Sequence, residues 1–296
     1  MSPIYVPGKV TLAKEFTWNE TVWNPSMIST ALWLDAADAS TVTESGGAVT
    51  TWADKSGNGH NAAADGNPTY SATGMSTSKP AVQLDGTGDS FVSSITGIGS
   101  FDALDIYMVT QTPAAAAADV NTGFFWGFGN IGNAGGSYPG NRGLYLASIT
   151  ASLSGELINL GLENSSFPYG RIGSNTYTRA ANTAQILNSK NSTSGISLFA
   201  NGSQVNLGVA NQITTSTNTA PSNVGYAVDS DLHFGVIRVG GLTLYTPAIK
   251  FAEVIVSSTL LSTVNRQKLE GYLAHKWGLT ADLPADHPYK LLGPTP

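Results

Sequence analysis

Oxygen-bearing side chains alternate with other residues in one short run, Asp54-Lys55-Ser56-Gly57-Asn58-Gly59. Carboxylate, hydroxyl and amide oxygens two positions apart are the hard donors a calcium ion takes. The spacing does not complete a helix-loop-helix calcium loop, because His60-Asn61-Ala62 follows and no Glu closes the run. A structural turn is the stronger reading. In it Asp54 and Ser56 bond local amides, while Gly57 and Gly59 relieve backbone strain beside Asn58.

Other chemistries find less support. Glycoside hydrolysis needs two carboxylates roughly 5–9.5 Å apart across the scissile bond. Asp229 and Asp231 share one side of an extended chain, but beside a loop, and read as solvated acids. The histidines, His60, His233, His275 and His287, are widely separated and form no helical zinc pair. Gly123 to Gly129 is studded with aromatics and lacks the Lys-Ser or Lys-Thr of a phosphate loop. With no cysteine in the chain, thiolate nucleophiles, disulfides and Cys-ligated zinc are excluded together. No catalytic residue is assigned, and a non-enzymatic role is expected. Tyr138, Phe167, Tyr169 and Tyr226 lie in turn-rich stretches, where a flat ring with a polar edge can stack on a sugar. Their competing role is to anchor long loops by burying ring area.

The elements that must position these residues are short strands. Hydrophobic residues make up 41% of the 296, enough for a core, but charged residues only 11%, so solubility rests on Ser, Thr, Asn and Gly. A net charge of −6 with 14 scattered Lys and Arg argues against nucleic acid as a partner. No run approaches the ~20 apolar residues that span a bilayer, and Met1 to Lys14 lacks the pattern of a secretion signal, so no membrane insertion is expected.

Apolar alternations bounded by turn formers recur at Ala31–Leu34, Ala81–Leu84, Asp105–Val109, Leu144–Leu146, Ile196–Phe199 and Phe251–Val256. Period two predicts strands with one buried face. Asn201-Gly202 between two such runs predicts a tight hairpin, since both turn positions need positive φ. Leu269, Tyr272, Leu273 and Trp277 recur at helical spacing instead, with Ser262 as N-cap and Gly278 as the left-handed stop. Ahead of the strands, Pro3, Pro7 and Pro25 interrupt an extended arm carrying Phe16, Trp18 and Trp23. Those rings must bury on their own domain or on a neighbouring subunit.

Leu32-Trp33-Leu34-Asp35-Ala36-Ala37-Asp38 followed by Thr51-Trp52-Ala53-Asp54-Lys55-Ser56-Gly57-Asn58-Gly59-His60-Asn61-Ala62 resembles the opening of laminin-G-like, concanavalin-A-like domains. Lys79 to Gly86, the Asn201-Gly202 hairpin and Phe251 to Val256 resemble later strands of that family. Arg266 to Leu279, with His287-Pro288-Tyr289, resembles a tail appended to such domains in marine bacterial and phage proteins.

The resemblance covers about residues 29 to 290 and implies an all-β, two-sheet antiparallel jelly-roll sandwich with one C-terminal helix. The expected organisation is an arm over 1–27, the sandwich over 28–260, and a helix and tail packed on it over 261–296. No cofactor is expected, although related sandwiches bind calcium at a rim, which keeps that ion open. The arm and tail point to a virion structural protein: a capsid decoration, head fibre or tail-associated subunit on the virion surface. Its partners would be other virion proteins and copies of itself, with host-surface glycans as ligands. The alternative is a carbohydrate-binding adhesion module of a bacterial surface or secreted protein. This family is specific for fold rather than for function.

Overall fold

The computed structural model describes residues 23–96, 103–112, 123–128, 143–150, 156–163, 170–173, 180–192, 195–205, 231–235, 237–239, 242–244 and 248–296. Phe16, Trp18, Tyr138, Phe167, Tyr169, Tyr226 and the alanine-rich stretch 113–119 lie outside them.

The chain forms β1 (Thr30–Asp35), β2 (Val42–Ser45), β3 (Ala48–Trp52), β4 (Ala62–Asp65), β5 (Thr69–Ser71), β6 (Ala81–Asp85) and β7 (Ser90–Ser94). It continues through β8 (Ala103–Gln111), β9 (Gly123–Phe128), β10 (Gly143–Thr150), β11 (Glu156–Glu163), β12 (Gly170–Gly173) and β13 (Gln185–Ser192). There follow β14 (Gly195–Ala200), β15 (Ser203–Gln204), β16 (Asp231–Phe234), β17 (Ile237–Val239), β18 (Leu242–Leu244), β19 (Ala248–Ser257) and the helix α1 (Thr263–Trp277).

Two large antiparallel sheets result, as expected of a jelly-roll sandwich, with β17 and β18 paired as a separate two-stranded ribbon. Sheet A runs β15-β14-β13-β8-β19-β6-β5, and β1 continues the β6 side of β19. Sheet B runs β12-β11-β10-β9-β16-β7-β4-β3-β2. The core between them holds Leu32, Leu34, Val82, Ile106, Met108 and Val254 of sheet A and Trp52, Phe91, Leu232 and Phe234 of sheet B. Phe234 meets Phe251 edge to face at 6.1 Å across the two layers. At Gly235 the two sheets approach closely: a Cβ there would lie 2.0 Å from Leu84 Cδ1.

The alternating segments named above are all strands, and Asn201 (φ 48°) with Gly202 (φ 80°) turns β14 into β15. The Asn201 side chain also ties this turn to β13 by accepting from the Ile186 amide at 2.8 Å. One expectation fails. The strands β1, β8 and β19 have buried residues on both faces, not one: in β1 every residue from Ala31 to Asp35 is buried. The reason is α1, which lies on the outer face of sheet A.

That helix begins and ends as its sequence predicts. Ser262 Oγ accepts from the Asn265 amide at 3.2 Å, and Gly278 takes φ 75°. Leu269, Leu273 and Trp277 face the sheet and are buried. The tail then returns along the outside of α1. Gly271 permits this, since a Cβ there would stand 2.4 Å from Tyr289 Cβ. His275 meets Tyr289 O at 2.9 Å and Lys268 reaches Thr295 O at 2.9 Å. Trp23, at the described end of the arm, is 3% exposed and packs edge-on to Tyr272 at 6.1 Å. The arm's last aromatic is thus buried within its own fold.

Candidate functional site

Strand direction decides which loops share a rim. In sheet B the end of β9 pairs with the start of β10, the end of β11 with the start of β12, and the start of β16 with the end of β9. The strand ends flanking segments 129–142 and 164–169, and the β16 end that follows segment 206–230, therefore all belong to one end of sheet B. Tyr138, Phe167, Tyr169 and Tyr226 fall in those three segments, outside the described residues. The end of β7 and the start of β4 stand at the same rim, as Ala62 pairs with Ser93 and Asp231 with Ser94. The turn carrying Asp54 is therefore there too.

That turn is tied down by its own carboxylate. Asp54 Oδ1 accepts from the Trp33 amide at 2.9 Å and the Ser56 amide at 2.8 Å. Its Oδ2 accepts from Ser56 Oγ at 2.7 Å and the His60 amide at 3.0 Å. A carboxylate offers about four acceptor positions, so protein donors occupy the whole capacity of Asp54. Asn58 Nδ2 donates to Thr30 O and Ala31 O, both at 3.0 Å, fastening the turn to β1. Gly57 and Gly59 adopt φ of 89° and 77°. Among the described residues no group of three or more His, Asp or Glu is placed to hold a metal ion. At the same rim Ser94 Oγ donates to Asp231 Oδ1 at 2.6 Å.

A second constellation, which the sequence pattern hides, lies between α1 and sheet A. Asp35 of β1 and Glu253 of β19 are cross-strand partners. Lys276 of α1 reaches both, with Nζ 2.7 Å from Asp35 Oδ1 and 2.8 Å from Glu253 Oε2. Lys55, from the turn, contacts Asp35 Oδ2 at 2.8 Å and Asp38 Oδ2 at 3.0 Å. Around Glu253 the donors converge: Trp33 Nε1 at 2.7 Å and the Tyr272 hydroxyl at 3.1 Å on Oε1, Trp277 Nε1 at 2.6 Å on Oε2. Burial pushes the Glu253 carboxyl above its usual range and the Lys276 ammonium draws it back. Partial burial works against the Lys55 ammonium, but hydrogen bonding and charge from Asp35, then Asp38, outweigh it and hold its pKa above the usual value. Glu253 is on the outward face of β19, where α1 covers it, and a lone acid inside Phe251-Ala252-Glu253-Val254-Ile255-Val256 is the signal the sequence offered.

The histidines divide between these regions. His60 Nδ1 lies 2.9 Å from Ala31 O in the turn, and His233 is buried in β16. His287 is buried in the tail with Nε2 3.2 Å from Glu270 Oε2, whose other oxygen takes Arg266 at 2.5 Å. No two are brought together as ligands among the described residues.

No family model matches the sequence, and no curated protein matches it either. Solved structures do match in fold. The binding domain of botulinum neurotoxin serotype D superposes with a TM-score of 0.53 at 13% identity, over 82% of this chain and 51% of that one. This chain therefore spans about half the length of that protein. Domain 4 of AbnA, a GH43 extracellular arabinanase from Geobacillus stearothermophilus solved with arabinotriose, gives 0.51 at 11% identity over 82% of this chain and 98% of that domain. Trypanosoma rangeli sialidase in complex with sialic acid gives 0.52 at 11% identity, over 84% of this chain and 33% of the enzyme. At such identities the likeness establishes a β-sandwich.

Proposed function

We propose that this chain is a non-catalytic carbohydrate-binding module that takes glycans at the rim of sheet B where the Asp54 turn stands. The observation that carries this is topological: one sheet end adjoins the three segments that hold Tyr138, Phe167, Tyr169 and Tyr226. Stacking sugars on aromatic rings needs several rings near one another, and strand ends at one rim are the part of that requirement the described residues support. The arabinanase domain solved with arabinotriose, matched over 98% of its length, supports the same reading. At the rim's described part, Asp54 is saturated by amide and hydroxyl donors and Asp231 accepts from Ser94, which suits scaffolding better than acid-base work.

Glycan binding is preferred here to a docking role in a virion, because Trp23, the described aromatic of the arm, is spent on Tyr272 of the same chain. A glycan array tests the proposal. Reproducible binding that Tyr169→Ala reduces at least about tenfold, roughly 1.4 kcal/mol, with no release of reducing sugar, supports it. A silent array, or turnover of a polysaccharide, overturns it.

A further inference from the structure

The Asp35, Lys276 and Glu253 cluster has the parts of a condensation site as well as of an ion pair. We propose that Lys276 and Asp35 join spontaneously in an intramolecular isopeptide bond, with Glu253 as the proton relay, stapling α1 to β1. The three groups come from distant parts of the chain yet are in mutual reach: the Lys276 nitrogen is 2.7 Å from an Asp35 oxygen and 2.8 Å from a Glu253 oxygen.

The surroundings suit the reaction. Glu253 is fully buried, and the indole N–H groups of Trp33 and Trp277 with the Tyr272 hydroxyl fix its orientation. Lys276 Nζ lies 5.3 Å from the ring centre of Tyr272 and 5.2 Å from that of Trp277, so the two rings wall the nitrogen in beside the carboxylates. Lys55 sits on the other Asp35 oxygen at 2.8 Å and remains an ammonium, held so by Asp35 and Asp38. It therefore neutralises negative charge that develops at that oxygen instead of competing as nucleophile. Burial keeps Glu253 readier to take up a proton than an ordinary carboxylate, as a relay requires. Fixed neighbours of this kind convert a slow bimolecular condensation into an intramolecular one.

The step balances without an oxidant or a co-reactant. A proton passes from the Lys276 ammonium to the Asp35 carboxylate by way of Glu253, leaving an amine and a carboxylic acid. The amine lone pair forms the N–Cγ bond. Glu253 removes a proton from that nitrogen and delivers it to the departing hydroxyl, the C–O bond breaks, and water leaves. One ammonium and one carboxylate become one amide and one water, and Glu253 returns to its starting state. The amide closes most of the chain into a loop, so a pull on the segments outside residues 35 and 276 bypasses the sandwich.

Intact mass of the denatured, purified chain reads the bond directly. The expected result is a mass lower than the sequence mass by one water, with a branched peptide carrying Asp35 and Lys276 after proteolysis. Glu253→Gln and Lys276→Arg, each checked for a folded circular-dichroism spectrum, should have full mass. Asp35→Asn should lose one ammonia and arrive at the same cross-linked product. A wild-type chain at full mass with the two peptides recovered unlinked overturns the proposal, whatever the variants do. A folded Glu253→Gln chain that still loses water removes Glu253 as the relay and overturns it as stated.

Discussion

A carboxylate removed from water stays in place only when donors replace the hydration it lost. Glu253 meets that condition with two indoles, a phenol and an ammonium. Glu253→Leu would leave those four donors facing a methyl group. Stripping one partner from a buried ion pair costs about 3–5 kcal/mol, and a loss of that size is expected in denaturant unfolding. A loss below about 1 kcal/mol, the worth of one ordinary hydrogen bond, would contradict the description of Glu253 as the hub.

Asp105 of β8 gives a pH prediction at the same scale. Burial raises its pKa from the ordinary 3.8 to about 6, against the opposing bonds from the Leu261 amide at 2.8 Å and the Asn188 amide at 3.3 Å. The folded state therefore binds this proton more tightly than the unfolded chain does. The stability it contributes is complete below pH ~4 and is lost as pH rises through ~6, a swing on the order of 3 kcal/mol. In Asp105→Asn that component disappears. The difference in unfolding free energy between wild type and variant should change between pH 4 and 7 and level off above, and a flat difference would refute the assignment.

At the scale of elements, α1 and the returning tail act together, and Gly271 is where they meet. Gly271→Ala should push Tyr289 off the helix while leaving α1 intact, because Ala favours helix more than Gly does. Limited proteolysis should then cut after Pro284 with the sandwich preserved, whereas an unchanged digestion pattern would show that the close contact is dispensable. This junction also marks how far the sequence could be read. Strand alternation, the Asn201-Gly202 hairpin and the Ser262 and Gly278 caps are local signals, set within a few residues, and they were legible. That α1 lies over sheet A is a long-range fact. It alone turns Asp35, Glu253 and Lys276 from solvated surface charges into a buried cluster, and no spacing among positions 35, 253 and 276 announces it. For the rim, the aromatic residues could be named from composition and turn content, but that the strand ends flanking their segments share one end of sheet B follows only from strand order and direction.

For the molecule as a whole, the two faces of the sandwich have different duties. The outer face of sheet A is closed by α1, the tail and Trp23. The proposed binding surface belongs to the opposite sheet, at the end where the Asp54 turn is locked onto β1 by Asn58. Rigid strands presenting variable loops is how sandwiches carry recognition without changing their core. The same division predicts that Glu253 and Asp105 variants alter stability but leave glycan affinity within about twofold while folded, a difference under ~0.5 kcal/mol that calorimetric titration resolves.

Hydrogen–deuterium exchange, with and without a saturating array-identified glycan, locates the binding surface directly. The account predicts slowed exchange confined to 54–60, 129–142, 164–169 and 206–230. Protection over α1 and the tail, or at the opposite end of sheet B, would contradict it.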